Sequence, residues 1–118
     1  MNTQDPEYKK KKRRYAQNYY SKPEKREMAK NRVLTKQYGL TLSDYRAMLQ
    51  LQEHKCAICE RSIKEGTAYV DHDHGTGKIR GILCNHCNLA IGHLQESLKI
   101  AESVVFYLIR STKNERIN

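Results

Sequence analysis

The chain has 118 residues, 22 Lys and Arg against 13 Asp and Glu, a net charge of +9, and no Trp. That length holds one domain, which excludes a large catalytic barrel and a doubly wound sheet. The longest apolar run, Val104 to Ile109, is six residues, far short of the about 20 that a membrane helix needs. Taken from the start, Met1-Asn-Thr-Gln-Asp-Pro6 has no apolar stretch of the kind that directs secretion. A reducing cytoplasm is therefore the expected compartment, and there the four cysteines are expected to be thiolate ligands rather than disulfides.

The charge is segregated. Residues 1–36 hold 12 Lys/Arg against four Asp/Glu, whereas residues 37–118 hold ten against nine. The reading is a basic arm over 1–36 attached to a small α+β domain over 37–118. Lys9, Lys10, Lys11, Lys12, Arg13 and Arg14 are six like charges in a row. Such a block repels itself, so disorder in the free chain is expected. Lys22-Pro23-Glu24 is a helix start, and 24–36 carries good helix formers with few apolar residues. Segregated basic charge of this kind is the footprint of a phosphate-binding surface, so nucleic-acid contact is expected, against the plainer reading of a solvated tail that only keeps the chain soluble.

Tyr38-Gly39-Leu40-Thr41 opens the domain with a turn, and Thr41 with Asp44 forms a capping box. Leu42, Tyr45, Met48, Leu49 and Gln52 follow at helical spacing as one packing stripe. Short β-prone runs over 67–70 and 78–83 flank the polar loop Asp71-His72-Asp73-His74-Gly75-Thr76-Gly77, which predicts an antiparallel hairpin. A last helix is expected from about His93 to Ile109, with Leu94, Leu98, Ala101, Val105 and Leu108 on one face.

Two motifs carry chemistry. Cys56-Ala57-Ile58-Cys59 and Cys84-Asn85-His86-Cys87 are two C-x-x-C knuckles. A two-residue gap lets both sulfurs reach one tetrahedral Zn²⁺, and two knuckles close the site, so the zinc is expected to be structural. His54 and His86 are read as polar loop residues. The second motif is the Asp-His-Asp-His run together with Asn88, directly after the last cysteine. Asp71 and Asn88 can offer oxygens to a hard cation, and a neutral imidazole from His72 or His74 can take a proton from water. Taken alone, the run fits a solvated loop or a second zinc site as well. Arg80, on the second strand, suits either a phosphate clamp or a salt bridge. Asp73 is read as a turn cap.

The stretches Cys56-Ala-Ile-Cys59, Val70-Asp-His-Asp-His74, Gly77-Lys-Ile-Arg-Gly-Ile-Leu-Cys84 and Cys87-Asn-Leu-Ala-Ile-Gly92 resemble the recombination endonuclease VII family, a branch of the HNH or ββα-metal nucleases. The resemblance covers about residues 38–110. It implies a zinc-stabilised ββα-metal core with structural zinc on Cys56, Cys59, Cys84 and Cys87. It further implies catalytic Mg²⁺ or Mn²⁺ on Asp71 and Asn88, His72 as general base, and His74 beside the scissile phosphate. A phosphodiester hydrolase acting on intracellular DNA, encoded by a phage or a bacterium, is the implied function. Holliday-junction resolution and nicking are its competing forms, and a homodimer is the implied assembly. A phage junction resolvase of that family carries an acidic residue three positions beyond the asparagine, where this chain has Ile91. The competing reading is a zinc-based DNA-binding module without cleavage.

Overall fold

In the computed structural model, which describes residues 2–113, helical order begins at Asp5. The Asp5 carboxylate accepts from the Glu7 N–H at 2.9 Å, and Pro6 occupies the first helical position. Helix α1 (Pro6–Tyr20) therefore runs straight through the Lys9–Arg14 block, where the sequence alone predicts disorder. Successive residues of an α-helix point about 100° apart, so the six cations fan out on all sides rather than stacking along one line. Tyr15, Tyr19 and Tyr20 add ring contacts at 6.1 and 5.0 Å, and Lys25 lies over the Tyr19 ring at 5.3 Å. Arg26 closes the end of α1 by donating to the Tyr20 and Ser21 carbonyls, each at 3.2 Å.

Helix α2 (Pro23–Tyr38) crosses residue 36 and ends where Gly39 adopts φ +69°. That left-handed turn is open to glycine at no steric cost. It lets the Gly39 and Leu40 N–H groups return to the Thr35 and Leu34 carbonyls. Helix α3 (Leu42–Leu51) starts with the expected capping box between Thr41 and Asp44. Asn31 of α2 accepts from the Leu42 N–H at 2.8 Å, which fixes α2 against the start of α3.

Strands β1 (Tyr69–His72) and β2 (Ile79–Leu83) form a two-stranded antiparallel sheet. Asp71 and His72 thus belong to a strand, not to the predicted loop. The turn begins at Asp73, whose side chain accepts from the Gly75 and Thr76 N–H groups at 2.8 and 3.1 Å, the cap read from the sequence. After β2 come α4 (Asn85–His93) and α5 (Leu98–Lys113). The single helix expected from His93 is two helices, broken by a turn in which Gln95 and Glu96 have φ near +55°. Ser97 restarts the chain by accepting from the Ile100 N–H at 3.1 Å. Among the described residues the architecture is α+β, with five helices around one hairpin.

Leu42, Tyr45 and Leu49 of α3 bury against Val70, Ile82 and Leu83 of the hairpin, with Cys56 and Ile63 from the connecting segment. Gln52 departs from its predicted packing role. Its amide oxygen accepts from the Ile82 N–H at 2.9 Å, and its amide nitrogen donates to the Ile82 carbonyl at 2.9 Å. One side chain thereby satisfies both backbone groups on the outer edge of β2, as a third strand would.

Two ion pairs hold α2 to the domain, linked by a third between Arg46 and Glu65. Arg46 forks onto Glu27 at 2.6 and 2.8 Å and onto Glu65 at 2.6 and 3.1 Å, and Lys30 reaches Glu65 at 2.8 Å. Hydrogen bonds from Arg46 and Lys30 hold the Glu65 carboxyl at about 2, against an ordinary value of 4.5. A carboxylate stabilised in the folded state contributes fully above its unfolded pKa and loses that contribution as pH falls through the folded value. The docking of α2 is therefore expected to weaken between about pH 4.5 and pH 2. Amide exchange of α2 followed across that range checks this, with Glu65→Gln as the control that removes the titrating carboxyl. Equal protection of α2 at pH 3 and pH 6 in the unaltered chain would show that the ion pairs contribute nothing.

Candidate active site

The two knuckles meet beneath the hairpin. The Cys56 and Cys59 knuckle is tied down by the Cys56 N–H donating to the Arg61 carbonyl at 2.8 Å and the Ala57 N–H to the Ile82 carbonyl at 3.2 Å. Cys84 directly follows β2 and caps α4, its sulfur accepting from the Cys87 N–H at 3.5 Å. All four sulfurs lie within 4.8 Å of one another, and Cys59 and Cys84 are 3.7 Å apart. Sulfurs at 2.3 Å from a tetrahedral centre are about 3.8 Å apart, whereas a disulfide needs about 2.05 Å. The cluster has the dimensions of a site that can hold a metal such as zinc. Burial works against a thiolate at Cys56, but backbone N–H groups of Cys59, Cys84 and Ile58 outweigh it and hold the thiol at about 6. Burial and the neighbouring thiols push Cys87 up to about 12. His86 is exposed and is not part of the cluster.

Because Cys84 caps α4, Asn88 stands one turn in, with its N–H on the Cys84 carbonyl at 3.0 Å. That turn faces the hairpin. Between them opens a cleft of about 500 Å³ lined by Asp71, His72, His74 and Asn88. The sequence-predicted quartet is thus brought to one surface. His72 and His74 stack with ring centroids 4.6 Å apart, and Tyr38, from the end of α2, leans on His72 at 5.5 Å. The Lys9–Arg14 block lies on α1 and lines no part of the cleft.

Arg80 is where the strand pairing breaks. Asp71 pairs with Gly81 but His72 pairs with Ile79, so Arg80 is the extra residue of a β-bulge. A regular ladder would set Arg80 beside Ile82's face, across from His72. The bulge re-aims it instead. Its guanidinium forks onto Asp71, Nε to Oδ2 at 2.7 Å and Nη2 to Oδ1 at 3.0 Å. Glu96, in the turn between α4 and α5, places Oε1 3.2 Å from Arg80 Nη2 and 3.2 Å from His74 Nε2.

Tyr38, His93 and Glu96 line the cleft and were missed as site residues by sequence reasoning. Tyr38 had a signal, since it opens the lead-in to the domain. Glu96 had none, because the turn that delivers it was hidden inside an unbroken helical pattern.

The fold and site define a small α+β domain in which a four-cysteine cluster sets a helix against a hairpin and an acid- and histidine-lined cleft opens between them. A family model for recombination endonuclease VII matches residues 31–110, and the chain belongs to that family. It is similar to the Gene 59 protein of Mycobacterium phage D29, 38% identical over 73 residues, and to the Gene 59 protein of Mycobacterium phage L5, 35% identical over 74 residues. Those matches cover 60% and 61% of this chain but 44% and 45% of the relatives, so the chain spans less than half the length of the proteins it matches. No described helix is long and apolar enough to cross a membrane.

Proposed function

We propose that the chain is a DNA endonuclease of the HNH type, with a structural Zn²⁺ on Cys56, Cys59, Cys84 and Cys87 and a catalytic Mg²⁺ held by Asp71 and Asn88. The observation that carries this is the shared cleft. It puts a carboxylate, an amide and two imidazoles within one surface, next to a cluster with the right sulfur spacing for zinc. One carboxylate and one amide oxygen suit Mg²⁺, which keeps several waters and completes its shell with phosphate oxygens. When bound, the cation supplies charge against the phosphate and the leaving oxygen. His72 takes the proton from the attacking water, and Tyr38 and His74 hold its ring between them. His74, whose side chain is 73% exposed, faces the solvent side where a phosphate enters. One base and one cation cut one strand, so resolution of a junction or a double-strand cut requires two protomers. The apolar residues of α5, among them Leu98, Val105, Phe106 and Leu108, are exposed and support a homodimer.

The experiment is cleavage of linear, nicked and four-way DNA side by side, with Mg²⁺ and with chelator. Metal-dependent cuts support the reading, and binding without cuts under any metal leaves a zinc-based DNA-binding module. The substrate cut fastest separates nicking from junction resolution.

In the same reading the basic arm over 1–36 supplies affinity and residues 37–118 supply chemistry. Four thiolates around one divalent cation leave a net negative charge on a domain whose own charges nearly cancel. Such a domain has little electrostatic reason to hold a polyanion. Since α2 is docked on α3, the informative cut falls at Ser21, between α1 and α2. Removing α1 is expected to weaken binding to all sequences alike and to flatten log K against log salt by about 0.9 per lost phosphate contact. Rate at saturating DNA is expected to fall less than affinity. Equal salt slopes for both chains would mean that α1 does not touch phosphate.

A further inference from the structure

A divalent cation and the Arg80 guanidinium need the same two atoms. Asp71 is the candidate metal ligand, its side chain only 11% exposed, and Arg80 covers both of its oxygens at 2.7 and 3.0 Å. A carboxylate so sheltered is costly to leave without a countercharge. Arg80 meets that need in the metal-free chain, and a bidentate guanidinium does so strongly. The Arg80 side chain is 36% exposed, so it can turn outward without disturbing the core. A second acceptor already waits for it. Glu96 Oε1 is 3.2 Å from Arg80 Nη2. The Glu96 backbone is held in the left-handed region at φ +57°, with its N–H on the Ile91 carbonyl at 3.2 Å.

We propose that Arg80 is a positioning residue that competes with the divalent cation for Asp71 and passes to Glu96 when the cation binds. This rests on the reading of Asp71 as a metal ligand. Arg80 lowers metal affinity by the fraction of chains in which it occupies Asp71. In exchange, the metal-free site carries no bare carboxylate to repel incoming phosphate. Glu96 keeps the freed side chain within reach and holds His74 through the same oxygen.

A role limited to bracing Asp71 predicts the opposite sign, because loss of the brace then weakens metal binding. The test is Mn²⁺ titration by calorimetry on the full zinc-loaded chain, without DNA. Asp71→Asn is expected to abolish the isotherm and so assigns it to this site. Arg80→Gln is expected to tighten Mn²⁺ about tenfold, equivalent to about 1.4 kcal/mol. Arg80→Lys retains the charge and loses the fork, and is expected to tighten Mn²⁺ about threefold, since hydrogen-bond geometry and not charge alone is removed. It also keeps the side-chain stem, so it carries the test if Arg80→Gln does not fold. Glu96→Gln is expected to weaken Mn²⁺ about threefold in the unaltered chain and to have little effect beside Arg80→Gln, the coupling expected of two groups acting as one unit. Unchanged or weaker binding in both Arg80 variants overturns the competition, as does an effect of Arg80→Gln with none of Arg80→Lys, which leaves charge alone. An equal effect of Glu96→Gln in both backgrounds overturns the transfer. Absence of any Mn²⁺ isotherm in the unaltered chain overturns the metal reading itself and this inference with it.

Discussion

Chelation of the zinc is expected to unfold residues 42–93 cooperatively. The buried apolar set is small: Leu42, Tyr45, Leu49, Cys56, Ile63, Val70, Ile82 and Leu83. The sheet has only two strands, of four and five residues, and an isolated hairpin is marginal in water. Cys56 is itself 2% exposed within that core, so the cysteine cluster and the apolar packing share one centre. A structural zinc contributes about 10–16 kcal/mol of apparent binding free energy, as much as or more than the about 5–15 kcal/mol of net stability typical of a domain. Without it four thiols compete for one space, and both the start of α4 and the position of Asn88 lose their anchor. Elemental analysis is expected to find one zinc per chain. Circular dichroism before and after chelator, and on Cys87→Ser, reads the unfolding. A melt that chelation leaves unchanged would sink the structural role.

His72→Ala is expected to lower cleavage by about 10²–10⁴-fold, the usual range for a lost general base, with DNA affinity and zinc content retained. The ring lies at the end of β1, between Tyr38 and His74 and outside the main core, so its truncation leaves the fold standing. His74 remains as the neighbouring imidazole and sets the residual rate. Asn88→Ala is expected to behave differently. In the proposed site it removes a metal ligand rather than the base, so its loss of rate is expected to be partly recovered by raising Mg²⁺, because mass action refills a weakened site. Single-turnover rates across a Mg²⁺ series distinguish the two. Wild-type cleavage by His72→Ala would place the base elsewhere.

Much of this protein was readable before folding. The capping box at Thr41 and Asp44, the turn at Gly39, the hairpin and the paired knuckles rest on local rules that act over a few residues. What misled was equally physical. Six adjacent cations predict disorder, yet a cap at Asp5 and Pro6 together with helix-forming neighbours support α1. The apolar pattern from Leu94 to Leu108 continues across a break in the backbone, because Gln95 and Glu96 turn left-handed without glycine. Gln52 falls in step with an apolar stripe but serves as an edge partner for Ile82.

The candidate site divides in the same way. Residue type and spacing alone point to Cys56, Cys59, Cys84 and Cys87, since a metal demands thiolates at short intervals; they offer Asp71 and Asn88 as oxygen donors with His72 and His74 as alternative bases, and it is the family resemblance that prefers His72. Which neighbours those residues acquire is a matter of tertiary structure. A bulge is a defect in pairing between two strands, so no single segment announces that Arg80 turns onto Asp71. Tyr38 comes from the end of α2 and Glu96 from a turn beyond α4, and they reach the cleft only because the cysteine cluster sets helix against hairpin. The candidate ligands are legible in the chain, because ligand chemistry is a property of side chains, whereas Tyr38, His93 and Glu96 join them only in the folded cleft. The electrostatics of the cleft, with Arg80 on Asp71 and Glu96 beside both Arg80 and His74, come from folding, because the distance between two charges is a property of the fold.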